Sequence, residues 1–148
     1  MTTESIGGTA YRSVNPATGE RLAAFDTMSD DEIGAALAAA VLAYNRWRDQ
    51  PVAERVIVLG RIADGLRTRA VELAALARLE MGKMLEEGIA EVQFSADIFD
   101  YYATEGPELL RDQPLNTQAG RAVIQRRALG TVLGIMPWNY PYYQVARF

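Results

Sequence analysis

Thr131-Val132-Leu133-Gly134-Ile135-Met136 is nearly all apolar, follows Gly130 and runs into Pro137. An unbroken apolar run of this kind reads as a strand covered on both faces by helices, as in parallel sheets. Pro137-Trp138-Asn139-Tyr140-Pro141 follows as a turn, and a helical pattern resumes with Pro141 near its first turn. A covered strand needs parallel neighbours joined by crossover helices. The sequence stops at Arg147-Phe148, about two turns into that helix, with no cap, glycine or polar tail. Two expectations follow: either the chain is a fragment of an α/β fold, or 131–136 is not a strand.

Upstream, residues 10–14 and 22–25 read as two short strands. Between them Asn15-Pro16-Ala17-Thr18-Gly19-Glu20 supplies turn signals, so the spacing predicts an N-terminal hairpin. Ser29 and Glu32 form a capping-box pattern ahead of a helix at about 30–48. Pro51 opens a second helix, in which Val52, Val56, Leu59, Ile62, Leu66, Ala70, Leu73 and Ala77 make one apolar stripe. Gly82 is its stop. A third helix, roughly 84–104, carries Leu85, Ile89, Val92, Ala96, Phe99 and Ala103 on one face. Gly106, Pro107, Pro114 and Gly120 then punctuate a loop, and the stretch 121–128, with Val123 and Ile124 among Arg121, Gln125, Arg126 and Arg127, reads as a strand exposed on one face. Trp47 is expected to anchor the core. Glu54-Arg55 and Glu80 read as solvated or packing charges, and Lys83 as a helix-end cation favoured by the dipole.

Composition limits the chemistry. The 148 residues contain no Cys and no His. Disulfides, thiolate nucleophiles, Cys/His zinc sites and imidazole bases are therefore impossible within this chain. What remains is carboxylates, amides, hydroxyls, arginine and the single lysine, Lys83. A content of 49% hydrophobic and 23% charged residues suits one globular domain and not a disordered chain. Residues 1–110 carry 18 acids and 10 bases, whereas 111–148 carry one acid and five arginines. The overall charge of −4 argues against nucleic acid as a partner, while the basic end could receive an anion locally. No run approaches the ~18 apolar residues of a membrane span. The opening Met1-Thr2-Thr3-Glu4-Ser5-Ile6-Gly7-Gly8 lacks the basic and apolar regions of a signal peptide, so no membrane contact and a cytoplasmic location are expected.

The stretch 138–147 holds the residue types that could act on a ligand. Loops at the carboxyl ends of parallel strands line the binding crevice of open α/β sheets. Trp138 offers a flat apolar wall. Asn139 offers an amide that can donate to a developing negative charge without changing protonation. Tyr140, Gln144 and Arg147 stand at i, i+4 and i+7, so a helix would place them on one face. An aromatic ring, an amide and a guanidinium in that order suit a substrate with an anionic end. The pattern alone also admits a rigid packed turn whose Asn bonds local backbone.

From about residue 10 to the end, the chain resembles the N-terminal portion of the aldehyde dehydrogenases, most closely the bacterial succinate-semialdehyde dehydrogenases. The marks are Asn15 to Glu20; Trp47 with Pro51 and Glu54-Arg55; Glu80-Met81-Gly82-Lys83; Tyr101-Tyr102-Ala103; Leu129-Gly130; and Met136 to Pro141 followed by Gln144-Val145-Ala146-Arg147-Phe148. The resemblance implies an α/β fold, truncated. It would comprise an N-terminal segment with the hairpin (1–28) and the helical part of a cofactor domain (29–105). A loop with an oligomerisation-arm strand (106–129) would follow, then the first strand of a Rossmann-like sheet with its loop and helix start (130–148). It implies NAD or NADP as cofactor, with Ile135, Met136, Pro137 and Trp138 lining the dinucleotide site. It implies that Asn139 donates its amide to the oxyanion of a thiohemiacetal, and that Tyr140, Tyr143 and Gln144 line the aldehyde tunnel. Arg147 would hold the distal carboxylate of succinate semialdehyde, which is oxidised to succinate. A homo-oligomer, dimer or tetramer, is implied for the full-length protein.

Three departures stand out. Ala128 replaces a common Pro before Leu-Gly. Tyr142-Tyr143 replaces a smaller residue plus Trp, which bears on which aldehyde fits. The family's nucleophilic Cys, general-base Glu and glycine-containing phosphate turn all lie downstream of this motif, so the chain alone is expected to be inactive. Two other readings compete: a non-catalytic short product that associates with full-length subunits through strand 121–128, and an unrelated helical domain with a helix over 121–136.

Overall fold

The computed structural model describes residues 11–148. The proposed signal-free start and the first residue of the hairpin strand lie outside the described residues. Strands β1 (Tyr11–Val14) and β2 (Arg21–Phe25) pair antiparallel, with Tyr11 opposite Phe25 and an irregularity after Ser13. The turn closes as its residues dictate. The Asn15 side-chain oxygen accepts the Ala17 N–H at 2.9 Å, and Gly19 takes a positive φ of 75°.

Helix α1 (Asp30–Arg48) starts on the expected capping box. The Glu32 N–H donates to Ser29 Oγ at 3.3 Å, and the Ser29 N–H donates to the Glu32 carboxylate at 2.7 Å. That second bond holds the Glu32 carboxyl below its usual value. α1 buries no residue. Trp47, expected in the core, is 44% exposed on its last turn.

The long second helix of the sequence reading is two helices, α2 (Val52–Thr68) and α3 (Ala70–Met81). The break falls at Arg69, with φ −105° and ψ 14°. Just before it the Thr68 hydroxyl donates back to the Asp64 carbonyl at 2.8 Å, an i−4 bond that bends helices. Arg69 then forks onto Glu72 at 2.6 and 2.9 Å. The apolar stripe survives the break because both helices pack on α4 (Leu85–Leu109). Ala63, not Ile62, is the buried residue there.

The core is built of small residues: Ala63, Ala70, Ala74, Ala77, Val92, Ser95 and Ala96. They let backbones approach closely. A Cβ on Gly88 would lie 2.9 Å from the Ala74 Cβ and 3.1 Å from its Cα, so only glycine fits where α4 crosses α3. α4 also runs past Gly106-Pro107, which were expected to begin a loop, to Leu109. Gly106 is buried beside Val56, and packing of that last turn outweighs the weak helix propensity of the pair. The Leu110 N–H closes the helix on the Gly106 carbonyl at 3.0 Å.

Beyond α4, β3 (Gln113–Leu115) pairs antiparallel with β4 (Ala122–Ile124). β3 contains Pro114, expected only as a loop residue, and β4 is shorter than the anticipated 121–128. No helix covers 121–136, which removes the unrelated-helical reading. The strand expected at 131–136 is not formed either. Leu129, Leu133 and Ile135 are 97%, 83% and 87% exposed. The physical reason is the one anticipated: a strand needs partners for its N–H and C=O groups, and among the described residues β1 to β4 pair only within their own two-stranded sheets. The run expected as the first strand of a Rossmann-like sheet thus forms no strand among the described residues. Helix α5 (Pro141–Arg147) closes the chain against α4. No helix among the described residues is long and apolar enough to cross a membrane.

Candidate functional site

Helix α3 ends where Gly82 takes φ 75°, a left-handed stop that a β-carbon would strain. The link between α3 and α4 then carries Lys83 inward. Its side chain is 6% exposed, and it forms an ion pair with Glu91, 2% exposed, on the second turn of α4. Lys83 was expected as a helix-end cation favoured by the dipole, with no buried partner named for it. The correction follows from packing: the small residues of α3 and α4 bring the link against the 138–141 turn.

The pair is used on every side. Lys83 Nζ donates to the Asn139 carbonyl at 3.0 Å and stands 3.9 Å from the centre of the Tyr140 ring. Glu91 Oε1 accepts the backbone N–H of Tyr142 at 2.9 Å and of Tyr143 at 3.2 Å. These are two of the orphan donors of α5. Pro141, the first helical residue, has no N–H, and the Gln144 N–H is taken by the Tyr140 carbonyl at 3.0 Å. The N–H groups of Tyr142, Tyr143 and Gln144 are therefore satisfied by Glu91 and by the helix's own first turn. Ser95 donates to the Glu91 carbonyl at 2.7 Å, and the Tyr142 hydroxyl donates to the Leu73 carbonyl at 2.7 Å.

Tyr142 pins α5 to α3 as a neutral phenol. Burial, and then the charges of Glu91 and Glu80, push its pKa above the ordinary 10.0. The sign is that of a raised group: this contribution to stability is complete below the unfolded value and is lost as pH rises through the folded one. Alkaline unfolding is expected to lose a component above pH ~10 when Tyr142 is replaced by Phe. An unchanged alkaline limb in Tyr142→Phe would contradict this.

The corner faces two adjoining cavities. The first, about 390 Å³, is walled by Lys83, Glu91, Phe94, Tyr140 and Tyr143. The second, about 370 Å³, shares Phe94 and Tyr143 and continues past Tyr101 and Tyr102 to Arg147. Phe94 stacks on Tyr143 with ring centres 5.5 Å apart, Tyr140 meets Tyr143 edge-on at 6.3 Å, and the Arg147 guanidinium lies 5.8 Å from the Tyr143 ring centre. Together they read as one aromatic-walled path with an ammonium–carboxylate pair at one end and a guanidinium at the other.

Not every residue singled out from the sequence meets there. Tyr140 precedes α5, with φ −139° and ψ 64°, so it does not share a helical face with Gln144 and Arg147. Tyr143 and Arg147, one turn apart within α5, are the pair that meets on the cavity side. Gln144 is half-buried but lines neither cavity. Trp138, 74% exposed, belongs to a separate space of about 670 Å³ beside Arg12, Glu80 and Tyr142. Asn139 stands between the two sides in sequence. It is exposed, and among the described residues its carboxamide makes no hydrogen bond, so the packed-turn reading with a locally bonded Asn fails. Ile135 and Pro137 are exposed, and Met136 is half-buried. Glu80, read as a solvated or packing charge, accepts the Ser13 hydroxyl at 3.0 Å.

Sequence reasoning missed Glu91, Lys83 and Phe94 as site residues. A signal existed. Glu87, Ala90, Glu91, Phe94, Ile98 and Tyr101 recur at helical spacing beside the apolar stripe of α4. That second stripe of acids and aromatics is the one facing the cavities.

The chain's relatives match over nearly all of its length. A succinate-semialdehyde dehydrogenase (NADP+) of Deinococcus radiodurans is 42% identical over 138 residues, 93% of this chain and 29% of that protein. The NAD(P)+ succinate semialdehyde dehydrogenase of Escherichia coli is 42% identical over 135 residues, again covering 29% of its length. The crystal structure of the succinic semialdehyde dehydrogenase of Streptococcus pyogenes, in complex with NADP+, superposes with a TM-score of 0.88 at 38% identity, over 93% of this chain and 30% of that one. The chain thus spans under a third of the relatives it matches. The profile of the aldehyde dehydrogenase family matches residues 2–147, and the chain belongs to that family.

Proposed function

We propose that this chain contributes one wall of the active site of an NAD(P)-dependent aldehyde dehydrogenase that oxidises succinate semialdehyde to succinate. The observation that carries the reading is the corner at Asn139: its backbone is held by a buried ion pair while its carboxamide stays exposed and unbonded, and the next residue, Tyr140, walls the aromatic path that ends at Arg147. In this reading Asn139 donates an N–H to the oxygen that gains charge when the aldehyde carbonyl is attacked. Tyr140 and Tyr143 wall the aldehyde chain, and Gln144 supports that wall from within α5. Arg147 forks onto the distal carboxylate by two parallel hydrogen bonds.

The exposed apolar surface of Ile135 and Trp138 fits the planar rings of NAD or NADP, with Met136 and Pro137 between them. Bound there, the dinucleotide supplies the hydride acceptor. The attacking thiol comes from outside these 148 residues, which have none, so the chain by itself is expected to turn over no aldehyde. Residues 29–105 and 130–148 serve the cofactor domain, and the exposed β3–β4 arm within 106–129 serves contacts between copies of a cytoplasmic homo-oligomer. The names of the relatives support the substrate, and Arg147 supports it on chemical grounds.

The test is substrate selectivity in the complete enzyme. Arg147→Ala is expected to raise KM for succinate semialdehyde by about 10–100-fold, the worth of a charge-assisted pair, and to leave an uncharged four-carbon aldehyde nearly unaffected. Equal losses on both aldehydes would remove the carboxylate role.

A further inference from the structure

We infer that Lys83 and Glu91 are positioning residues that aim the Asn139 carboxamide, an inference that rests on the oxyanion role proposed above. The pair grips the backbone from that residue to Tyr143. At one end the Lys83 ammonium takes the Asn139 carbonyl at 3.0 Å. At the other the Glu91 carboxylate takes the Tyr142 and Tyr143 N–H groups at 2.9 and 3.2 Å. Three backbone groups within five residues are thereby tied to two side chains that are themselves paired and buried.

Stability alone does not account for such a device. A buried ion pair contributes no more to stability than well-packed apolar residues of the same volume. Apolar residues, however, could not direct a carbonyl and two N–H groups at once. The cation also sits over the Tyr140 ring, so a wall of the cavity and the backbone of Asn139 are held by the same atom. The anchor is rigid. Glu91 lies on α4 one helical turn from the fully buried Ser95, which donates to its carbonyl, and Gly88 fixes how closely α4 meets α3. Nothing comparable holds the carboxamide itself, which is what a group reserved for a ligand requires.

The experiment is a double-substitution cycle in the complete enzyme. Displacing a catalytic group by about 1 Å can cost about 10²-fold, so Lys83→Met is expected to lower kcat by about 10–10²-fold while KM for succinate semialdehyde changes little. In an Asn139→Ala background the same substitution is expected to cost less than about twofold, because the donor it aims is gone. Hydrogen exchange supplies a readout independent of turnover: Glu91→Ala should strip protection from the Tyr142 and Tyr143 amides, and Glu91→Gln, which keeps an acceptor oxygen, should retain part of it. Where Lys83→Met does not fold, Lys83→Met with Glu91→Gln removes both charges and is judged by the same cycle. An equal loss of kcat in both backgrounds, or unchanged exchange at those two amides in Glu91→Ala, would overturn the positioning role with the oxyanion role intact. Wild-type kcat in Asn139→Ala would instead overturn the oxyanion role, and the positioning role with it.

Discussion

Asn139→Ala, in the complete enzyme, is expected to lower turnover by about 10²–10³-fold, equivalent to about 2.7–4 kcal/mol of barrier, the usual cost of losing one oxyanion donor. The fold should persist. The Asn139 side chain is exposed and makes no hydrogen bond among the described residues, so removing it breaks no hydrogen bond. The grip on the corner uses the backbone carbonyl, which Ala retains. KM should move less than kcat, since the donor acts on charge that develops only as the carbonyl is attacked. Steady-state kinetics with a thermal melt of each protein checks this. A variant with normal kcat and a lowered melting temperature would reverse the assignment and make Asn139 structural.

The largest effect on stability is expected from Glu91→Ala. It removes the acceptor of two backbone N–H groups and strands the Lys83 ammonium in a buried site. Breaking a buried pair by deleting one partner costs about 3–5 kcal/mol, mainly through the uncompensated charge left behind. Denaturant unfolding should show a loss of that order. Adding Lys83→Met to Glu91→Ala should recover most of it, because the stranded charge is then gone. A double variant as unstable as Glu91→Ala alone would mean that the loss comes from the two N–H groups and not from the ion pair.

Much of the framework was legible because local chemistry decides it. The Ser29–Glu32 box set the start of α1, Gly82 set the end of α3, and the Asn15–Glu20 turn set the hairpin. Each is a short-range bond or a backbone conformation that a few adjacent residues specify. Errors arose where packing decided. The apolar stripe from Val52 to Ala77 runs unbroken across Arg69, because two helices laid on one neighbour bury the same face as one. Gly106-Pro107 reads as a stop, yet it ends inside α4 because Gly106 is buried. The run 131–136 has the composition of a covered strand but lies uncovered, since composition cannot supply the neighbours a strand must bond.

The site divided in the same way. Trp138, Asn139 and Tyr140 stand out by residue type, so the corner was visible. What holds it was not. Lys83 and Glu91 are ordinary charges on or beside helices, eight positions apart, and nothing local announces that both turn inward onto a segment about fifty residues later. The sharing of one helical face among Tyr140, Gln144 and Arg147 failed for a local reason: the helix begins at Pro141, one residue too late to include Tyr140.

The most direct measurement is a crystal structure of the complete enzyme trapped with an aldehyde-derived adduct. The account predicts Asn139 Nδ2 within about 2.7–3.1 Å of the adduct's former carbonyl oxygen, with the Asn139 backbone still held by Lys83. A carboxamide turned away from that oxygen and bonded to its own loop would contradict it.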